Sequence, residues 1–211
     1  MFTELLKFEL KYRLKLLSTH VYFGVLFLFS TYAVIGSSGI IPGTRIYLGD
    51  WTGKLHVNAP VAVNYLITTL CFLGLFVACA FMISAVNRDF LYGAYPLYFT
   101  RPISPRAYLA ARFLGSLTIL MYVFSAAGLG GLLAAVLPIY PPGKVGTFHL
   151  MTYLQPYLVN VIPNALFLGA VFFTLAVVFR KSMPVFTAGV LLVVLHVLAR
   201  NLAGQPGLAE V

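Results

Sequence analysis

Side chains with chemical capacity are few: four histidines, two cysteines and five acids in 211 residues. His20, His56, His149 and His196 offer no facing buried pair of the kind a haem needs, and only His196 falls well inside an apolar stretch. His56 and His149 could meet around a metal, but without nearby acids or cysteines they read as solvated, and no metal site is assigned. No HExxH, GxSxG or GxxxxGK[ST] occurs, so zinc peptidase, serine hydrolase and phosphate-loop ATPase chemistry lack their usual groups. Cys71 and Cys79 are eight residues apart, about 12 Å along a helix, too far to pair, and read as packing residues. What remains is a sparse polar set in apolar surroundings: Asn64, Thr68 and Thr69, then Asn160 and Asn164 flanking Pro163, then His196. Intramembrane polar groups face protein or water rather than lipid, so Asn64, Thr68, Asn160, Asn164 and His196 are candidates to line a path. The alternative is interhelical hydrogen bonding, worth about 0.6 kcal/mol each. Catalysis by His196 with either asparagine would lack a carboxylate or nucleophile.

The elements that carry these residues are membrane helices. The chain is 61% hydrophobic and 9% charged, with a mean hydropathy of +0.94, far from a soluble mixture. A hydrocarbon core of about 30 Å needs roughly 20 apolar residues per helix. Five stretches approach that, at about 20–41, 61–86, 107–137, 156–179 and 184–200. The expected fold is an all-α polytopic membrane protein, with an N-terminal interfacial helix (1–19), a transmembrane domain (20–200) and a tail (201–211). The third stretch is too long for one straight span, so it should begin at Ala107 outside the bilayer and enter after Arg112. AAGLGG at 126–131 has small residues spaced for close helix contact, not a dinucleotide loop, which would need a preceding strand.

Charge sets the orientation. Ten of the fourteen basic residues fall in the N-terminal arm, the second-to-third connection and the fourth-to-fifth turn; the others are Arg45, Lys54, Lys144 and Arg200. The ten-residue side is expected to be cytoplasmic, with the N-terminus inside a multi-pass protein of the cell membrane. The basic balance is thereby assigned to the membrane and not to nucleic acid. Lys7, Lys11 and Lys15 recur at helical spacing, with Glu9 and Arg13 as an i, i+4 pair on another face, which predicts a helix lying on the anionic inner leaflet. Trp51, in the outer loop from Pro42 to Pro60, suits the interface. The second outer loop, 138–155, reads as a Pro/Gly-rich turn, with room for a short interfacial helix.

Between the second and third spans runs DFLYGAYPLYFTRPISPRAYLAARFLG (89–115), too polar to span and rich in aromatics. Asp89 and Gly93 lead to Thr100, Pro102, Ser104 and Arg106, then a long helix bearing Arg112. This order resembles the first cytoplasmic loop of ABC-2 type ABC transporter permeases, whose pattern runs acid, Gly-Thr-Leu-Glu, a leucine-rich run, Thr-Pro-hydrophobic-Ser-Arg and a helix with Gly-Lys. Gly93 matches the glycine, Thr100 and Pro102 the Thr-Pro, and Ser104 and Arg106 the Ser-Arg. Tyr95 and Pro96 replace Leu-Glu, Arg101 is inserted, and Arg112 stands where the family often has lysine. FELKYRLK (8–15) and VNAP (57–60) also resemble the permease half of bacterial ABC-2 proteins fused to an M1 aminopeptidase.

The resemblance implies a six-span unit, of which five are counted here, either because the chain is a fragment or because the unit is atypical. It further implies two permease units forming the path, a separate ATPase subunit holding ATP and Mg, and no cofactor or enzymatic activity in this chain. The coupling residues would be Asp89, Gly93, Tyr95, Arg101, Pro102 and Arg106, within 87–106. A second reading, from the residues alone, is a non-transporting membrane anchor or assembly factor whose loop binds another partner.

Overall fold

The computed structural model describes residues 2–44, 46–49, 55–91, 93 and 104–203, the side chains of 89–91, 200 and 203 excepted. The described residues form helices with no strand: α1 (Phe2–Leu14), α2 (Leu17–Ser37), α3 (Pro60–Leu73), α4 (Leu75–Leu91), α5 (Pro105–Val136), α6 (Leu150–Pro156), α7 (Ile162–Phe179) and α8 (Ser182–Ala203), with a π turn, Tyr157–Val161, joining α6 to α7. Four stretches are long and apolar enough to cross a bilayer, or five when the bent pair α3–α4 counts as one span. This is an all-α polytopic membrane protein.

Several boundaries differ from the sequence expectation, each for a local reason. The N-terminal helix ends at Leu14, not 19, and the first span starts at Leu17. There the Thr19 hydroxyl donates to Arg13 O (2.8 Å) and His20 Nε2 lies 2.8 Å from Leu14 O. Arg13 O also accepts the Leu16 N–H (3.2 Å), so these contacts at the last carbonyls of α1 fix a tight corner. The second span is not one helix but bends by 45° at Gly74. A Cβ at Gly74 would collide with the Phe124 ring of α5, so the missing side chain lets Phe124 wedge into the bend. The third begins at Pro105, two residues before Ala107, because Ser104 caps it by accepting the Ala107 N–H (3.3 Å) and proline suits the first turn.

The fourth starts at Leu150 instead of 156, running through the π turn to Phe179. Pro163 cannot donate to the carbonyl four residues back and its ring presses on it; widening the preceding turn relieves both. The fifth runs from Ser182 instead of 184 and past 200 to Ala203. It follows Arg180, whose left-handed backbone (φ 50°) closes α7 with an Arg180 N–H to Ala176 O bond of 2.9 Å.

α5 is the centre of the bundle: sixteen of its 32 residues are buried, whereas α8 is mostly exposed. Its small residues Ala126, Ala127, Gly130, Gly131 and Ala134 are buried, as the spacing of AAGLGG predicts. A Cβ on Gly130 would strike the Phe27 carbonyl oxygen of α2. Across this close contact Ser30 Oγ donates to Ala127 O (2.5 Å) and Thr31 Oγ1 to Gly130 O (3.1 Å). At the end opposite α1, the Asn58 amide clamps Gly146, accepting its N–H and donating to its C=O, both at 2.8 Å. His149 pairs instead with Thr147 Oγ1, at 3.0 Å.

Candidate functional site

Two polar groupings stand out in this apolar bundle. The first joins three helices at the end that carries α1 and the 92–103 connection. Glu9, on α1, accepts from Arg13 Nε at 2.5 Å through Oε1, and through Oε2 from Arg88 Nη2 at 2.8 Å and from Arg112 Nη1. Arg88 comes from the last turn of α4 and Arg112 from the second turn of α5, so one carboxylate gathers the two helices that bracket the connection. Glu9 and Arg13 are each 1% exposed and Arg112 4%. Arg13 Nη1 also donates to Ser84 Oγ (3.1 Å), while the Arg88 guanidinium lies 4.2 Å from the Tyr12 ring centroid, a cation–π distance. Gly115 makes room, because a Cβ there would come within 2.6 Å of Glu9 Cγ.

This changes the reading of α1. Lys7 and Lys11 are exposed on its outer face, as an interfacial helix requires, but Lys15 lies beyond its end. Glu9 and Arg13, which interrupt the apolar arc, form the docking face itself. Arg112, expected to mark entry into the bilayer, is a buried ion-pair partner of Glu9.

Burial by itself would raise the Glu9 carboxyl, but the attraction of Arg13, Arg112 and Arg88 and the Arg13 hydrogen bond outweigh it, so Glu9 titrates below the ordinary 4.5. A carboxylate lowered on folding contributes stability that is complete above its unfolded value and lost as pH falls through the folded one. The unfolding midpoint of the detergent-solubilised chain should therefore drop as pH goes below 4.5, with a smaller drop in Glu9→Gln. Equal acid slopes for the two proteins would contradict this linkage.

The second grouping lies within the span region. Asn160, in the π turn, donates through Nδ2 to Asn64 Oδ1 (2.8 Å) and to Thr68 Oγ1 (3.0 Å) of α3. Asn64 and Thr68 are about 6 and 12 Å along α3 from Pro60, and Asn160 is about 15 Å from Leu150, at 1.5 Å per residue. Their chain neighbours Val61, Leu158, Val159 and Ile162 are exposed, as are Thr69 and Asn164. Of the predicted polar set, Asn64, Thr68 and Asn160 are thus brought together. Asn164, one turn on, is exposed without joining them, and His196 rests against Phe72, ring centroids 4.7 Å apart.

Of the predicted coupling residues, Gly93 sits in a turn at φ +62°, a left-handed conformation suited to glycine, and Arg106 is exposed in the first turn of α5. Tyr95, Arg101, Pro102 and the Asp89 side chain lie outside the described residues.

One feature escapes any reading of spacing. The Tyr157 hydroxyl donates to Phe124 O (2.8 Å) and accepts the Gly128 N–H (2.9 Å). In a regular helix that N–H would bond that carbonyl directly, so the π turn inserts a hydroxyl into the ladder of α5. The same five-residue turn therefore carries both Tyr157, on the central helix, and Asn160, in the polar cluster. Among the described residues no group of three His, Cys, Asp or Glu is placed to hold a metal ion. Both groupings clamp helices together, the first α1 to α4 and α5, the second α3 to the π turn.

Comparison with models of known protein families, with curated proteins and with solved structures finds no match.

Proposed function

We propose that this chain is the permease subunit of an ATP-binding-cassette transporter in the cytoplasmic membrane, N-terminus inside, coupled to a separate ATPase subunit through residues 87–106. The observation that carries this reading is the Glu9 hub. It ties α1 to the last turn of α4 and the second turn of α5, so a push on the connection between them moves three helices as one body. α5 then spans the bundle to the Tyr157 insertion, and the π turn continues to Asn160. Displacement at one end has a packed route to the amides at membrane depth.

The order of Gly93, Thr100, Pro102, Ser104 and Arg106 supports the same reading through its resemblance to the coupling loop of ABC-2 permeases. An aromatic and arginine-rich connection suits a protein interface. ATP and Mg would be held by the partner, and a second permease unit would complete the path. A non-transporting anchor or assembly factor would use the connection equally well, but has no need of the packed route from the Glu9 hub along α5 to the Tyr157 insertion.

The test is association. Tyr95→Asp and Gly93→Pro should each abolish copurification of a cassette ATPase while the chain still inserts in the membrane. Undiminished association in both variants would refute the coupling role of the loop.

A further inference from the structure

Two irregular spans meet α5 at one place. The Tyr157 hydroxyl stands between Phe124 O and the Gly128 N–H, at 2.8 and 2.9 Å, where a regular helix joins those two groups directly. The ring of the same Phe124 lies against Gly74, at the 45° bend between α3 and α4. Gly128 is reserved for this contact. A Cβ on it would come within 2.9 Å of the Tyr157 hydroxyl, whereas Cβ atoms on Gly130 and Gly131 would meet Phe27 and Leu66.

The insertion and the π turn depend on each other. A π turn holds one residue more than an α turn, so closing it rotates whatever precedes it by about 100° relative to α7. α7 is held in place, with Ala165, Phe172 and Phe173 buried and Gly169 against Met82 of α4. The seven-residue α6 and Tyr157 are therefore what turn. Tyr157 then leaves α5, and the Gly128 N–H returns to Phe124 O. Asn160 lies in the same turn and leaves Asn64 and Thr68. Pro163 works against closure, since its ring would press on the carbonyl four residues back.

We infer that Tyr157 and the π turn form a two-position latch on α5. Set, as it is here, the latch opens the α5 ladder and pins Asn160 to α3. Released, it closes the ladder and frees the Asn64, Thr68 and Asn160 side chains together. The latch goes beyond the proposed function and operates whether or not an ATPase drives the bundle.

Spin-label distances in lipid nanodiscs test it, in a chain carrying Cys71→Ala and Cys79→Ala. One label pair joins α3 to α6 (Val61→Cys with Met151→Cys) and a second joins α3 to α7 (Val61→Cys with Phe167→Cys), all at exposed positions. Three substitutions act at different points of the latch. Tyr157→Phe removes the bridge, Gly128→Ala expels the ring while favouring the helix, and Pro163→Ala permits an α turn. Each should bring up the same second α3–α6 distance and leave the α3–α7 distance alone. A 100° turn of a side chain about 5 Å from the helix axis displaces it by up to about 8 Å. If one variant fails to insert, the other two decide. A single parental α3–α6 distance in the variants would overturn the latch. So would a different new distance in each, or an equal shift of the α3–α7 pair, because either marks local damage and not a second position. Copurification of an ATPase, followed in the same preparations, bears on the permease reading alone.

Discussion

Glu9→Gln should destabilise the chain by about 3–5 kcal/mol, the usual cost of removing one partner from a buried ion pair. Three guanidinium groups converge on this carboxylate, and Arg13 Nη2 is already buried without a hydrogen-bond partner. Glutamine keeps the shape and one acceptor oxygen but removes the charge that holds three cations together. Glu4, whose side chain is 74% exposed beside Lys7 at 3.9 Å, supplies the control. Its replacement by glutamine should change stability by less than about 1 kcal/mol, as for exposed pairs generally. Glu9→Leu combined with Arg13→Leu should recover part of the loss, because it also removes one of the stranded charges. Thermal unfolding in detergent reads all three, and a Glu9→Gln midpoint equal to that of Glu4→Gln would show that the hub contributes nothing.

The other large effect is steric. Gly130→Val should cost about 3 kcal/mol or more, at the upper end of overpacking penalties. The new Cβ falls on the Phe27 carbonyl oxygen, a backbone atom that cannot swing aside, and crowds Ser30 Cβ at 3.0 Å. Separating α2 from α5 would also stretch the Ser30 and Thr31 hydrogen bonds to the α5 backbone. Gly24→Val is the matched control on α2, since a Cβ there meets nothing within 4 Å, and its midpoint should stay near that of the parent. Similar losses in both variants would mean that helix propensity, not contact, governs the result.

The spans were legible because the bilayer imposes a length and an apolar composition on each, and the AAGLGG contact was legible because close approach demands small residues. Glu9 and Arg13 were visible as an i, i+4 pair. Their burial was not, because the arginines that complete the hub lie 79 and 103 positions away along the chain. The lone acid between Lys7 and Lys11 was the available clue: a charge that breaks an amphipathic face needs a partner elsewhere. Asn160 and Asn164 stood out beside Pro163, yet the pairing that forms is with Asn64 and Thr68, 96 and 92 positions earlier. Gly74 and Tyr157 carry no local signature, since a glycine in a span reads as packing and a tyrosine near a span end as an interfacial anchor. Both act only through α5, by meeting Phe124 and by entering the ladder at Gly128.

The central claim is that this membrane bundle is driven by a separate ATPase through the connection between α4 and α5. The most direct measurement is the composition of the complex isolated from native membranes under mild solubilisation, with its subunits identified by mass. The account predicts a stoichiometric ATP-binding-cassette ATPase that is lost with Tyr95→Asp. A chain isolated without any such ATPase, or one that retains it undiminished with both Tyr95→Asp and Gly93→Pro, would contradict it.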